Sequence, residues 1–557
     1  MRLNLSYNIY SAKWWRFNQD NYNYFVCGWA DYKGNILSEA TFIDVIKEID
    51  FEKFDDFKKF ASNLNGNFTI IVATSKKTYI AADRMRSYPI VYFFYQGQLI
   101  ITDDIMKFQN EYKLDFEIDE VSCEQYLRSN YIIGPYNIYK EVFSVQSGEC
   151  IEIKHADRLI NRKQYFQWTP NMQNDEFKRD YSKEAKLQDD IFLSVFTRMI
   201  ESAPHVNNWI IPLSGGYDSR TIINYLYKLG VKNVICFTYG IKKNLESEIS
   251  KQVAEALGYQ WYFVDYNTWI QKMNSDNIIG EYLKFGFNGN SVSHLQDFPA
   301  VYALMKMNIL ANNDVFVPGH ALEVIAGSHL KLKMRKCNSI EKVIPVIGNH
   351  FSGFGYYTKK RKAVKQRTKS ILENYNIRTE QMAECFDWQE RQTKFIANSI
   401  KCYEYFGFEW RIPEWDAELM SYWEKIGFNY RFDRDMFKEI FKNVLVVEPI
   451  QNIAFANDIL KKKSKTLQTI FINHIPFAIK KIIKKKGWYT SKYYLDEGSH
   501  LIYRNNGESI NDYINSYCAP FCVKRYLGPY YRKQKISDFE VNTVTTLINI
   551  RNSIISK

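Results

Sequence analysis

No apolar run in this chain of 557 residues is long enough to cross a bilayer: hydrophobic residues make up 46% of it, but charges break them into short stretches, well under the ~18–20 residues a transmembrane helix needs. The opening stretch MRLNLSYNIYSAKWWRF has no sustained apolar core and no small-residue cleavage site, so no secretory signal is read there and a cytoplasmic protein is expected. Cysteine is sparse, with nine scattered residues; the closest pair, Cys518 and Cys522, has no matching His or Cys pair nearby. That excludes a disulfide framework and a zinc cluster and leaves free thiols. Acidic residues are missing from Ile459 to Ser491, where nine lysines interleave with Leu467, Ile470, Phe471, Ile475, Phe477, Ile479 and Ile482. This reads as a basic amphipathic helix broken near Pro476. Its alternatives are a solvated helix packed on the protein or peripheral contact with an anionic inner membrane face through Lys461–Lys486. Without an accompanying RNA-binding signature, membrane is preferred to nucleic acid.

Also missing is the Gly-Lys-Ser/Thr of a Walker loop, although a phosphate loop is otherwise suggested by IIPLSGGYDSRTII, Ile210 to Ile223. A buried strand here runs through Ser-Gly-Gly directly into an amphipathic helix. Glycines let a ligand approach the backbone, and the orphan amides of the first helical turn point at whatever binds. A pyrophosphate-type loop follows, with phosphate oxygens on Ser214, Gly215, Gly216 and Ser219 and a magnesium ion on Asp218. The alternative is an ordinary tight α/β turn.

The length fits two to four domains of ~100–200 residues each. Residues 1–165 carry short β-rich runs, among them YNYFVCGWAD, GNFTIIVAT, KTYIAADR and GECIEIK, with helical patches at Phe42 to Leu64 and Val121 to Ser129. This predicts an antiparallel α+β layered domain. QYFQWTPNMQNDEF reads as a linker. Over 181–450 helices and strands alternate, including NWIIPL, NVICFTY, QWYFVDY and DVFVP, before a mostly helical stretch from about Val343. Alternation predicts a doubly wound parallel sheet with ligands at its C-terminal edge. Residues 451–557 form the basic extension.

Together LSGGYDSR, CFTYG, ESEISKQVAEALG and VPGHALEVIAGSH, with WRIPEWDAELMSYWEKI downstream, resemble the asparagine synthetase family of ATP-dependent amide-forming ligases, in particular its members linked to bacterial surface polysaccharides. LNGNFTIIVATSKKTYIAADRMRSYPIVYFFYQGQLIITDDI resembles the family's N-terminal-nucleophile glutaminase domain, and YIIGPYNIYKEVFSVQSGECIEI its exit. The resemblance covers about 1–450 and implies a glutaminase-like layered domain followed by an ATP-pyrophosphatase-type α/β domain. It implies ATP and Mg²⁺, with adenine near Leu213 and the Phe237, Thr238 and Tyr239 strand end, and Mg²⁺ bridging Asp218 and a second carboxylate. A substrate carboxylate would be adenylated, and ammonia or an amine would displace AMP.

Two departures shape the expectation. The family's glutaminase begins with a nucleophilic cysteine, whereas this chain begins Met1-Arg2-Leu3 and its nearest thiol, Cys27, lies in a β-like run. Glutamine hydrolysis is therefore not expected, and nitrogen would come from free ammonia, a separate glutaminase or an amine-bearing substrate. The family's acidic loop is altered to PGHALEVIAGSH; keeping Gly319 in register places Glu323 on the metal and His320 where a base could serve the incoming amine. Another register leaves no metal ligand here, and a structural role for His320 stays open. So do phosphate or surface-pair roles for Arg220, a nucleotide or solvated role for Glu248, and a supporting lysine between Lys442 and Lys465. The carboxylate expected is a small molecule or a uronic acid of a surface polysaccharide. The alternatives are an internal-amine cyclase, resembling β-lactam synthetases or lasso-peptide cyclases, and an inactive scaffold.

Overall fold

The computed structural model describes residues 5–456 and 459, apart from 12, 20, 242, 277 and 351–360. The basic segment Lys461–Lys486 and nearly all of the 451–557 extension lie outside the described residues.

Period-two alternation builds the N-terminal region. In the strand Tyr22–Tyr32, Tyr24 and Val26 face one core while Phe25 and Cys27 face another; Ile70 and Val72 oppose Ile71 in the strand Asn65–Ala73 in the same way. A seven-stranded sheet thus carries apolar side chains on both faces, as a central layer must. One face packs on the helices Glu39–Ile46 and Phe54–Ser62. The other packs on a four-stranded sheet, whose outer residues Val91, Phe93 and Ile100 cover the helices Ile105–Glu111 and Glu120–Ser129. The layers run helix, sheet, sheet, helix. Two details depart from the sequence expectation. The patch at 42–64 is two helices, and Leu5–Asn8 pairs in parallel with Gln98–Thr102.

The linker is packed rather than free: Trp168 is fully buried, its indole N–H donates to Glu384, and its ring lies 5.6 Å from that of Trp388. Beyond it comes α1 (Tyr181–Glu201), then β1 (Trp209–Pro212), α2 (Tyr217–Lys228), β2 (Val234–Gly240), α3 (Leu245–Ala256), β3 (Gln260–Asp265), β4 (Val315–Phe316) and β5 (Glu409–Trp410). All five strands are parallel, in the order β3-β2-β1-β4-β5. The order reverses between β1 and β4, and such a switch point opens a crevice at the strands' C-terminal ends. β5, two residues long, is too short for its pattern to be read in sequence.

Backbone and side-chain bonds join the two regions. The Asn65 amide donates to Asp416 and accepts from the Ala417 N–H, Ile132 N–H meets Asn290, and Val292 N–H meets Asn130. Deeper in, the fully buried Lys394 ammonium binds both Glu390, at 2.6 Å, and the Gly134 carbonyl.

Candidate nucleotide and ligation site

The loop between β1 and α2 closes on itself. Ser214 and Ser219 hydroxyls lie 3.0 Å apart, Ser214 N–H donates to Ser219 Oγ, and Gly216 N–H donates to Ser214 Oγ. No side chain caps the helix that follows, so the amides of its first turn stay available to a ligand. Gly319, in the loop after β4, is required by space: a Cβ there would sit 2.7 Å from the Ser219 amide nitrogen and 3.1 Å from the Asp218 carbonyl carbon. The two loops therefore meet backbone to backbone at the switch point. Gly215 faces the C-terminal side: its carbonyl accepts from Ala456 N–H, and an added Cβ would lie 2.7 Å from that of Ala456.

Asp218, on the first turn of α2, accepts a hydrogen bond from Arg434 Nη1 at 3.1 Å and is favoured by the Glu323 amide. Burial, then the charge of Glu323, push its carboxyl up to about 7 against the pull of Arg434. Glu323, second residue of the short helix Leu322–Ile325, is exposed, and the turn before it places Ala321 in the left-handed region at φ +75°. His320 Nε2 lies 2.7 Å from Ser399 Oγ, and burial holds the ring below its usual pKa, with Asp297 and Glu323 opposing. The ring is therefore neutral at neutral pH.

At the edge expected for adenine, Leu213 and Phe237 turn their side chains into the core. Thr238 donates to the Leu213 carbonyl and meets Ser250 at 2.6 Å; Tyr239 stacks on Tyr266 and donates to Asp297. Thr238 and Tyr239 are half-buried and stand at the strand end. Arg220 is fully buried, donates to the Ile453 and Ala454 carbonyls, and stacks over Phe455. Glu248 is exposed, whereas its neighbour Glu246 lies against Gly215. Lys442 stands over the Tyr217 and Phe455 rings.

Sequence reasoning passed over several residues of the crevice. Glu414, fully buried, has neither carboxylate oxygen in a hydrogen bond of proper geometry; burial, then Asp218, push its acid well above the usual range. Arg434 was hidden because residues 433 and 434, both at positive φ, belong to no motif. His329 binds Asp387 at 2.6 Å, and although burial works against its charge, that carboxylate raises its pKa. The signal for Glu414 was present in RIPEW: an acid between proline and tryptophan, where a solvated residue is out of place.

Among the described residues no three His, Cys, Asp or Glu side chains converge as a ready-made metal site. The donor chemistry nevertheless fits a divalent cation. Asp218 and Glu323 are hard oxygen donors on the two facing loops, the Glu323 amide acts on the Asp218 carboxylate, and the Arg434 guanidinium holds that carboxylate at 3.1 Å. The seven described cysteines are all buried, and burial raises the Cys27 thiol well above its usual pKa. None is an exposed thiolate nucleophile.

Comparison with known proteins finds a match to the glutamine amidotransferase domain family over residues 52–166. No curated protein matches the chain. Among solved structures, it is similar to the allosteric regulatory enzyme of purine biosynthesis, with 11% identity, 45% of this chain and 62% of that chain covered, and a TM-score of 0.19. It thus spans under two thirds of that relative. Glutamine phosphoribosylpyrophosphate amidotransferase from B. subtilis gives 11% identity, coverage of 45% and 72%, and a TM-score of 0.20. The NH3-dependent NAD synthetase from Campylobacter jejuni gives 9%, 40%, 96% and 0.20. The chain carries a match to a glutamine amidotransferase domain over residues 52–166, ahead of a five-stranded parallel α/β sheet.

Proposed function

We propose that the chain is an ATP-dependent carbon–nitrogen ligase that adenylates a carboxylate and passes the acyl group to ammonia or an amine. The observation that carries this reading is the pairing of two loops at the switch point, where Gly319 abuts the Ser219 amide and leaves the Ser214–Ser219 turn and Asp218 facing one crevice. A phosphate arriving there would exchange the serine–serine bonds for its own oxygens, so the loop's donors are already aimed.

Asp218, with Glu323, would hold the magnesium ion, which would neutralise phosphate charge when bound. The substrate carboxylate oxygen attacks the α-phosphorus and the bond to pyrophosphate breaks. The amine nitrogen then attacks the acyl carbon and AMP leaves with the bonding pair. His320, neutral and held beside Ser399 and Asp297, is the group suited to take the amine's proton. Because its pKa lies below the usual ~6.5, the rate would fall only as pH drops beneath that value.

Buried thiols throughout the described residues support a nitrogen source other than glutamine hydrolysis within this chain. A uronic acid of a surface polysaccharide is the substrate class we favour, on the resemblance alone. The test is product analysis: with ATP, ammonium and the correct acid, purified protein should release AMP and pyrophosphate in equal amounts with the amide. Steady glutamate release from glutamine would overturn the nitrogen assignment.

A further inference from the structure

A strongly cationic face lies outside the crevice. From Val324 to Leu372 the chain carries twelve lysines and arginines and a single acid, Glu341. That acid is already occupied, because Lys369 holds it at 3.0 Å, and Arg367 is tied to Asp119 at 2.7 Å. Lys331, Lys333, Arg335, Lys336 and Lys342 have no ion pair among the described residues, and all but Lys331 are exposed. On the helix Arg361–Glu373, joined to the helix Ile340–His350 by the Lys369–Glu341 pair, exposed Lys362 and Lys365 extend the charge. Like charges held this close repel one another, and the described fold does not offset them, so their counter-charge comes from outside.

The same segment exposes an apolar side chain. Leu330, Met334 and Cys337, at helical spacing, are buried and meet the segment's need for a core. Leu332 falls between them, 62% exposed, with Lys331 and Lys333 on either side. A lone exposed leucine is ordinary. One set among unpaired cations has the chemistry of an anionic bilayer surface, where basic groups meet headgroup phosphates and the aliphatic side chain enters the acyl boundary. A soluble polyanion would satisfy the cations and leave the leucine in water. The face also adjoins the crevice along the chain: Lys331 comes two residues after His329, and the Arg335 guanidinium lies 5.1 Å from the Phe428 ring, in the segment that leads to Arg434.

We propose that this face docks the protein on an anionic membrane surface, with Leu332 inserted and Lys333, Arg335 and Lys336 against lipid phosphates. The contact goes beyond the ligase reading and does not depend on it. It is also separate from the basic segment Lys461–Lys486, which lies outside the described residues.

The test is flotation of the full chain with vesicles of phosphatidylcholine alone or of equal parts phosphatidylcholine and phosphatidylglycerol. Wild type should float with the anionic vesicles and not with the neutral ones, and rising salt should release it. Lys333→Ala combined with Lys336→Ala should weaken that binding about tenfold, and Leu332→Ser about threefold. Their melting temperatures should match wild type, because these side chains are exposed. Wild-type binding by both variants would locate the contact in the basic C-terminal segment and overturn the proposal, as would no vesicle binding or equal binding to both vesicles. Binding that falls in the lysine variant but not in Leu332→Ser, together with tight binding of polygalacturonate, would assign the face to a soluble anionic polymer and overturn it as well.

Discussion

Two buried carboxylates, one in each region, are treated in opposite ways. Asp83, in the amidotransferase-type region, accepts from the Phe68 amide at 2.7 Å, from Met85 at 2.6 Å and from Ser87 at 3.3 Å. Glu414, at the crevice, is as deeply buried, but neither oxygen has a hydrogen bond of good geometry and the Leu322 amide is the backbone donor that acts on it. The first is architecture: it ties the turn after the strand Lys77–Ala82 to its neighbour, and every donor has an acceptor. The second has no structural task that its surroundings complete. The difference separates a region that keeps its layered shape from one that keeps open valences for a ligand.

The comparison can be broken at several points. The largest effect is expected at His320: His320→Gln should lower amide formation by about 10²–10⁴-fold with little change in melting temperature, and should erase the acidic limb of the pH–rate profile. A comparable melting-temperature loss would make the histidine structural.

His294 gives the next effect. Burial pushes it down to about 4, with its Nε2 at 2.7 Å from the Phe395 carbonyl. The folded protein then binds fewer protons than the unfolded chain between the two values. Stability is full above the usual ~6.5 and falls as pH drops toward 4, by about 3 kcal/mol in all. Asp83, raised to about 6 by burial, acts in the opposite direction; the difference between wild type and His294→Asn melting curves isolates the histidine. A difference that does not change with pH would contradict the burial argument.

The carboxylates themselves give the sharpest contrast. Asp83→Asn turns an amide donor toward backbone donors and should destabilise by about 1–3 kcal/mol in denaturant unfolding. Glu414→Gln replaces a carboxyl that burial already holds in its neutral form and should therefore change stability by less than about 1 kcal/mol at acid pH, stabilising only as rising pH ionises the acid in the unfolded wild type. A loss in Glu414→Gln as large as that in Asp83→Asn would dissolve the distinction.

Much of this was legible in the sequence, for a physical reason. Strands such as NWIIPL and NVICFTY are apolar throughout because both faces of a parallel sheet are covered, and α2 and α3 carry the 3.6-residue period beside them. Ser214, Gly215, Gly216, Asp218 and Ser219 are contiguous, so a local pattern displays them. Ser399, Glu414 and Arg434 lie 180 to 220 residues beyond that loop, and only the tertiary fold brings them to His320 and Asp218. Arg220 shows the same limit: adjacency to the loop left phosphate and surface-pair roles open, and its bonds to the Ile453 and Ala454 carbonyls, over 230 residues on, were not legible there. Phe237 lies in the middle of β2, and its side chain faces the core.

The account stands or falls on adenylation at the Ser214–Ser219 loop. Carboxylate-dependent exchange of labelled pyrophosphate into ATP, scanned over aspartate, uronic acids and nucleotide-linked uronic acids, measures that step alone. Exchange with one class of acid, lost in Asp218→Ala while the variant stays folded, is the predicted result. Exchange with none of them, together with no measurable ATP binding, would contradict the account and leave the fold as a scaffold.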